Sequence, residues 1–249
     1  MLSWNIMGRS PQKGDLTKIL RNIALINADI LCLQEVASDA ALEKIARFKD
    51  YNFVKSKFFS STNSCVILSK YPIIRSGEIA LDDIEYNNDN GCIWVDIKIE
   101  KKILRIYTCH LKITCVGIKE RLIEIERVLS HAKNCSTPII LCGDMNTTIP
   151  KVGIYRLGVQ LKHKEPSKSM YIDGRYYPDD ERYIFSETAT KFCFRDVLDI
   201  KKSTWAYPHT SFELASLKLD WFFVRDIKEK SSELLPYCSS DHRPVFVRF

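Results

Sequence analysis

Apolar positions along the chain follow two periods. Leu2 to Ile6 reads as a strand, Asp15 to Asn27 places Leu16, Ile19, Leu20, Ile23 and Ile26 at helical spacing, and Ile30 to Leu33 is an apolar run of buried-strand length. The chain therefore opens as strand, helix, strand. Ala40 to Phe48 predicts a second short helix, followed by strands at Asn52 to Lys55, Ser64 to Ser69, Cys92 to Ile99 and Ile103 to Cys109. The last two form a hairpin around Glu100-Lys101-Lys102. A further helix is predicted from about Gly117 to Ala132, with Ile118, Leu122, Ile125 and Leu129 as its apolar stripe. Lys119, Glu120, Arg121, Glu124 and Arg127 form its wet face. The next strand, Pro138 to Cys142, runs into the acidic turn Gly143-Asp144-Met145-Asn146.

Pro150 to Glu187 is polar, aromatic and poorly periodic, and no core strand is predicted there. Strand patterns return at Leu217 to Val224 and Pro244 to Phe249. No linker-like break and no repeat of about 20 to 50 residues divides the chain, so one domain over 1–249 is expected. Strands in both halves, separated by helices, predict two packed sheets flanked by helices, an α/β class.

Composition narrows this only a little. A chain of 249 residues with 45% hydrophobic and 27% charged residues is neither collagen-like nor a coiled coil nor wholly disordered. The formal charge of +6 is compatible with a polyanionic substrate and far from a polybasic tail. The nine cysteines include no CxxC pair and read as free thiols of a reducing compartment. Met1 leads directly into a strand-like segment without a cationic and then apolar leader, and no apolar run approaches the ~20 residues of a membrane span. An intracellular protein, cytoplasmic or nuclear, is expected.

The chemistry is carried by position. Asn5, Glu35, His110, Asp144 with Asn146, Asp220, and Asp241 with His242 each stand at or just past a strand-like run. Singly they are ordinary: Asn5 suits a cap, His110 a satisfied core histidine, Asp144 a turn after glycine. Asp220 is harder to place, because a carboxylate between Leu219 and Trp221 is costly unless paired, protonated or metal-bound. If the strands share a core, their ends converge on one rim, where carboxylates, amides and imidazoles would meet.

The ordered series WNI, LQEV, CHL, GDMN, LDWFFV and SDHRPV resembles the endonuclease/exonuclease/phosphatase superfamily across residues 3 to 247. That superfamily includes apurinic-site endonucleases, pancreatic-type deoxyribonucleases, tyrosyl-DNA phosphodiesterases, neutral sphingomyelinases, deadenylases and inositol polyphosphate 5-phosphatases. The resemblance implies a four-layer α/β/β/α sandwich with two central mixed β-sheets and a divalent-metal site at the rim. It implies Glu35 as the principal Mg²⁺ ligand, with Asn5 beside it and Asp241 as a further metal contact. Hard oxygen donors suit Mg²⁺ or Mn²⁺. It also implies that Asp144 orients or deprotonates the attacking water and that Asn146 holds a non-bridging phosphate oxygen. His242 would contact the scissile phosphate, oriented by Asp220, and His110 would make a second phosphate contact. Met7 departs from the pattern, since several DNA-repair members carry an Asp two positions after the Asn.

Substrate choice belongs to the rim loops. The rim candidates are Lys55 to Asn63, Leu81 to Asn90, Lys112 to Arg121 and Lys151 to Glu187. Basic and aromatic residues interleave in KSKFF, in KHKEPSKSMYIDGRYY and near WAYPH, a composition suited to phosphate backbones and base stacking. Lys112, Arg121, Tyr171 and Arg175 are the candidate substrate contacts, whereas acidic Leu81 to Asn90 would repel a polyanion. The expected function is a monomeric Mg²⁺-dependent nuclease or DNA-end-processing phosphodiesterase with nucleic acid as partner. The alternatives are a phosphatase or phospholipase C-type hydrolase of inositol-phosphate or sphingomyelin-like headgroups, and a catalytically silent binding module.

Overall fold

The computed structural model describes residues 1–7, 16–56, 64–81, 91–112, 118–147, 171–172, 175–176, 181–207, 215–236 and 239–249. In the first sheet, β1 (Leu2–Asn5) pairs in parallel with β2 (Ile30–Gln34) and antiparallel with β16 (Val245–Arg248). Beyond β2 lie β4 (Val66–Ser69) and β3 (Asn52–Lys55), and beyond β16 lies β15 (Ser231–Leu234). The second sheet runs β5 (Ile73–Ala80), β6 (Gly91–Ile99), β7 (Lys102–His110), β8 (Ile139–Asp144), β14 (Asp220–Arg225) and β11 (Arg195–Asp196). Here β7 and β8 are the parallel pair. A parallel pair needs a crossover. Helix α1 (Leu16–Ile26) supplies it in the first sheet and α3 (Ile118–Lys133) in the second.

The alternation of side chains along the strands builds three apolar layers. Leu31 and Leu33 of β2 join Ile19 and Ile23 of α1, and Leu42 and Ile45 of α2 (Asp39–Phe48), on the outer face of the first sheet. Ile30 and Cys32 point the other way and meet Ile140 and Cys142 of β8 and Phe222 and Val224 of β14 between the sheets. Ile139, Leu141, Trp221 and Phe223 then face Ile125 and Leu129 of α3, and Phe185 and Ala189 of α4 (Glu181–Lys191). The sheets bury both faces, so their strands read as continuous apolar runs. Each fully buried Leu, Ile or Phe contributes about 1.5–3 kcal/mol. The result is the four-layer α/β/β/α sandwich with two central mixed sheets. No helix among the described residues is long and apolar enough to cross a membrane.

Several expectations needed correction. Helix α4 begins inside the segment read as aperiodic, because its buried stripe mixes Glu181, Thr188 and Ala189 with Ile184 and Phe185 and so hides the helical period. The single strand expected from Leu217 to Val224 is two elements, β13 (Ala215–Leu217) and β14, parted at Lys218 and Leu219. Lys218 is buried and its ammonium lies 2.9 Å from Asp196, above the Trp221 ring. Strand β5 went unpredicted because it is a largely exposed edge with no clean alternation. The wet face assigned to α3 is wrong at Arg121 and Glu124, both buried, since α4 and the end of β7 cover that side.

Candidate active site

Register brings the polar strand ends to one edge. Asn5, Gln34, His110 and Asp144 are the last residues of β1, β2, β7 and β8, and Asp220, first in antiparallel β14, lies opposite Asp144. Gly143 lets β8 reach this point. Its φ is +139°, and a Cβ there would fall 2.0 Å from the Cys109 carbonyl oxygen of β7, so a larger residue would push the two strands apart before Asp144.

The two sheets are joined at the rim by side chains. The Asn5 amide nitrogen donates to Asp144 Oδ2 at 2.9 Å and to Glu35 Oε1 at 3.0 Å, while its oxygen accepts from the Met7 amide. His110 Nε2 lies 3.6 Å from Asp144 Oδ2 and 3.9 Å from Glu35 Oε1. His242 sets Nε2 3.7 Å from the same Asp144 oxygen and binds Asp220 Oδ2 through Nδ1 at 2.8 Å. Asn146 donates its backbone N–H to Asp144 Oδ1 and one side-chain N–H to the Leu111 carbonyl. Glu35, Asn146 and Met7 hold φ of +56°, +50° and +47°. Each such non-glycine residue costs on the order of 1 kcal/mol and persists only where its surroundings fix it.

Electrostatics assign the protons. Burial alone would lower the His242 pKa, but the Asp220 and Asp144 carboxylates, with the hydrogen bond to Asp220, reverse that and raise it to about 10. His242 is therefore an imidazolium at neutral pH. Burial would raise the Asp144 pKa, yet His242, His110, the Asn5 amide and the Asn146 N–H outweigh it and hold the carboxyl below its usual range. Asp144 is thus an ionised acceptor beside a cation, able to take a proton from a water.

Asp144, Asp220 and His242 place ligand atoms within 4.8 Å of one another, the spacing of a metal cage. An imidazolium has no lone pair to give, so in this trio His242 is a charged partner, hydrogen-bonded to Asp220 and 3.7 Å from Asp144. The donors that fit a divalent cation are the Glu35 carboxylate, whose side chain is 18% exposed, and Asp241, partly open at the rim. They are hard oxygen donors, suited to Mg²⁺ or Mn²⁺. Among these described rim residues the carboxylates of Glu35, Asp144, Asp220 and Asp241 outnumber the two imidazoles, an excess of negative charge that a divalent cation would balance. Asn5 faces Glu35 with its amide nitrogen and accepts the Met7 N–H with its oxygen.

The candidate substrate contacts separate. Lys112 stays near the rim: its backbone N–H donates to buried Glu124, and its ammonium, 25% exposed, lies 3.8 Å from the same carboxylate. Arg121 is a correction. It is fully buried and paired with Glu181 at 2.5 Å, so it joins α3 to α4 and is closed to a ligand. Tyr171 and Arg175 belong to a short antiparallel pair, β9 (Tyr171–Ile172) and β10 (Arg175–Tyr176), with side chains outside the described set. The basic loop at 162–168 and the acidic loop at 82–90 also lie outside the described residues.

Sequence reasoning passed over the residues that hold the site. Ser240 donates to the Asn5 carbonyl at 2.7 Å and accepts from the His242 N–H, and the Trp4 indole donates to the His242 carbonyl. Thr204 Oγ1 accepts from the Leu219 and Asp220 amides, and the Trp205 indole donates to Asp241. Their sequence signal is a hydroxyl or indole beside apolar residues, which occurs throughout ordinary cores.

A double-sheet sandwich with carboxylates, an imidazolium and amides converging on one rim defines a phosphoric-ester hydrolase class of site. A family model described as the Endonuclease/Exonuclease/phosphatase family matches residues 2–242, and the chain belongs to that family of phosphoric-ester hydrolases. Among curated proteins, Protein angel of Drosophila melanogaster is 28% identical over 148 residues, 52% of this chain and 42% of that protein. The likeness thus spans less than half of that relative. Among solved structures, a humanized D. rerio TDP2 superposes with a TM-score of 0.69 at 17% identity, covering 99% of this chain and 96% of that one. D. rerio TDP2 complexed with a single strand DNA product gives 0.69 at 16%, covering 99% and 96%. A functionally unknown conserved protein from Enterococcus faecalis gives 0.70 at 13%, covering 100% and 98%. At these identities the structural likeness is one of fold.

Proposed function

We propose that the protein is a Mg²⁺- or Mn²⁺-dependent phosphodiester hydrolase acting on nucleic acid, as a nuclease or a DNA-end-processing phosphodiesterase. The observation that carries this reading is the ionised Asp144 held 3.7 Å from the imidazolium of His242 and bridged by Asn5 to Glu35. An anionic diester repels hydroxide, so its site must neutralise non-bridging oxygens, accept a proton from water and stabilise the leaving oxyanion. Asp144 accepts the proton of the attacking water. His242, kept charged by Asp220, donates to a non-bridging oxygen, and the second side-chain N–H of Asn146 does the same. His110, set between Glu35 and Asp144, adds a further phosphate contact. Glu35 and Asp241 would hold a divalent cation, which when bound would supply Lewis-acid neutralisation of phosphate charge.

Nucleic acid is favoured by the formal charge of +6, by the basic and aromatic rim segments, and by the DNA product bound to the similarly folded D. rerio TDP2. Lys112, Tyr171 and Arg175 are assigned contacts to backbone phosphates from sequence. The test is a substrate panel with Mg²⁺, Mn²⁺ or EDTA, comprising single- and double-stranded DNA, abasic duplex, 5′-adducted DNA, RNA, inositol phosphates and sphingomyelin. The expected result is metal-dependent cleavage of one or more nucleic acids, abolished by EDTA and by Glu35→Ala. Cleavage confined to the lipid or inositol substrates would replace the nucleic-acid reading, and hydrolysis of none of them would favour a binding module.

A further inference from the structure

Thr204 lies outside the ordered motifs that mark the rim, and Trp205 enters the sequence pattern only as part of the WAYPH rim segment, yet together they contact the backbone of Asp220 and His242 and the side chain of Asp241. Thr204 Oγ1 accepts from the Leu219 and Asp220 amides at 3.0 and 2.9 Å, fixing the start of β14 where the Asp220 carboxylate departs. The Thr204 carbonyl accepts from the Arg243 N–H at 2.7 Å. Trp205, first residue of β12 (Trp205–Tyr207), forms an antiparallel bridge with His242, and its indole Nε1–H donates to Asp241 Oδ2 at 2.9 Å. Half-buried Trp205 therefore holds the backbone of the imidazolium and the carboxylate beside it in one frame.

We propose that Trp205 is a positioning residue of the metal site, its indole N–H holding Asp241 in the orientation that binds a divalent cation. The inference rests on the assignment of Asp241 as a ligand under the proposed function. Its physical basis is that a ligating carboxylate has rotational freedom to lose. A donor on one oxygen removes that freedom in advance and leaves the other oxygen to the ion, and loss of such outer partners commonly weakens metal affinity by about 10- to 100-fold. Among the described residues, Asp241 Oδ1 has a long contact from Ser240 Oγ, 3.5 Å, and the indole, at 2.9 Å from Oδ2, is the stronger restraint. Trp205 is also not buried well enough to act chiefly as core, whereas the neighbouring Ala206 is fully buried.

The test is a double-mutant cycle of Trp205→Phe and Asp241→Asn, read by electron paramagnetic resonance of free Mn²⁺ and by steady-state kinetics at several Mn²⁺ concentrations. Trp205→Phe keeps the ring and removes the donor. It should weaken Mn²⁺ binding about tenfold, leave KM for the substrate unchanged, and regain kcat as Mn²⁺ is raised, which a folding defect would not do. In the Asp241→Asn background it should cost nothing further. The wild-type protein gives a measurement independent of any variant's folding: the indole N–H resonance of Trp205 should shift on titration with Mg²⁺. Unchanged Mn²⁺ affinity in Trp205→Phe, alongside weakened affinity in Glu35→Gln, would overturn the role of Trp205 alone. A wild-type protein that binds no Mn²⁺ would overturn the metal-site reading and this inference with it.

Discussion

Arg121 and Glu181 are buried as thoroughly as Asp144 and His242, yet the two groups of charges are built differently. Between α3 and α4 a guanidinium meets a carboxylate through two hydrogen bonds, at 3.2 and 2.5 Å, in a forked pair of opposite charges. At the rim, carboxylates crowd around imidazoles, and Asp220 Oδ1 and His110 Nδ1 are buried without a hydrogen-bond partner. The first arrangement pairs one cation with one anion and joins the two helices. The second keeps capacity for a cation and an anionic ester. Burial of charge is common to both, and an unpartnered buried atom also occurs at Ser3, so it is incompleteness together with the convergence of carboxylates and imidazoles on one edge that points to a reacting site.

The sharpest way to break this comparison is to remove the acceptor at the rim. Asp144→Asn keeps the shape and the hydrogen bond from Asn5 but cannot take a proton, and His242→Ala removes the cation opposite it. Each should lower kcat for metal-dependent diester hydrolysis by ~10²–10⁴-fold, the usual worth of a general base or an electrostatic contact to the transition state. Circular dichroism should show the native fold in both variants. A rate near wild type in either variant would remove that residue from the chemistry.

The converse experiment strikes the closed pair. Arg121→Met leaves the Glu181 carboxylate buried without its partner and should destabilise the fold by about 3 kcal/mol, seen as a lower urea midpoint. Arg121→Met with Glu181→Met should recover most of that loss, because an apolar pair fills the same space. Per folded molecule, kcat and KM should not change in either variant. A raised KM in Arg121→Met would restore the substrate-contact role that the sequence implied for this residue.

That misreading shows what a sequence conveys. Strand ends were legible at Asn5 and Asp144, which interrupt apolar runs where the sheets end, whereas the start of β14 at Asp220 was hidden inside one continuous expected strand. Which face of α3 met solvent was not legible, because Arg121 and Glu124 look alike whether hydrated or paired, and Glu181 is 60 residues away. Helix α4 was hidden by polar residues in its buried stripe, and β5 by exposure on both faces. The rim residues with chemistry of their own stood out as exceptions to a pattern. Ser240, Thr204 and Trp205, which only hold them, obey local rules and leave no exception to notice.

Tyr51 offers the mildest form of the contrast. It is a buried polar group that is closed like Arg121 but neutral, donating to the Ala28 carbonyl at 2.5 Å. Burial, with Asp29 nearby, raises its pKa from 10.0 to about 12. Below pH 10 both folded and unfolded chains keep the proton, and the contribution is whole. Between 10 and about 12 the unfolded chain ionises first, so it binds fewer protons than the native state and stability falls as pH rises. Tyr51→Phe should therefore cost about 1 kcal/mol near neutral pH, the worth of one hydrogen bond, and should lose stability less steeply than wild type across that alkaline window in urea titrations. Its kcat should be unchanged. A slowed rate would mean that satisfied contacts behind the first sheet also shape the rim, and incompleteness would no longer separate the reacting charges from those that only hold the fold.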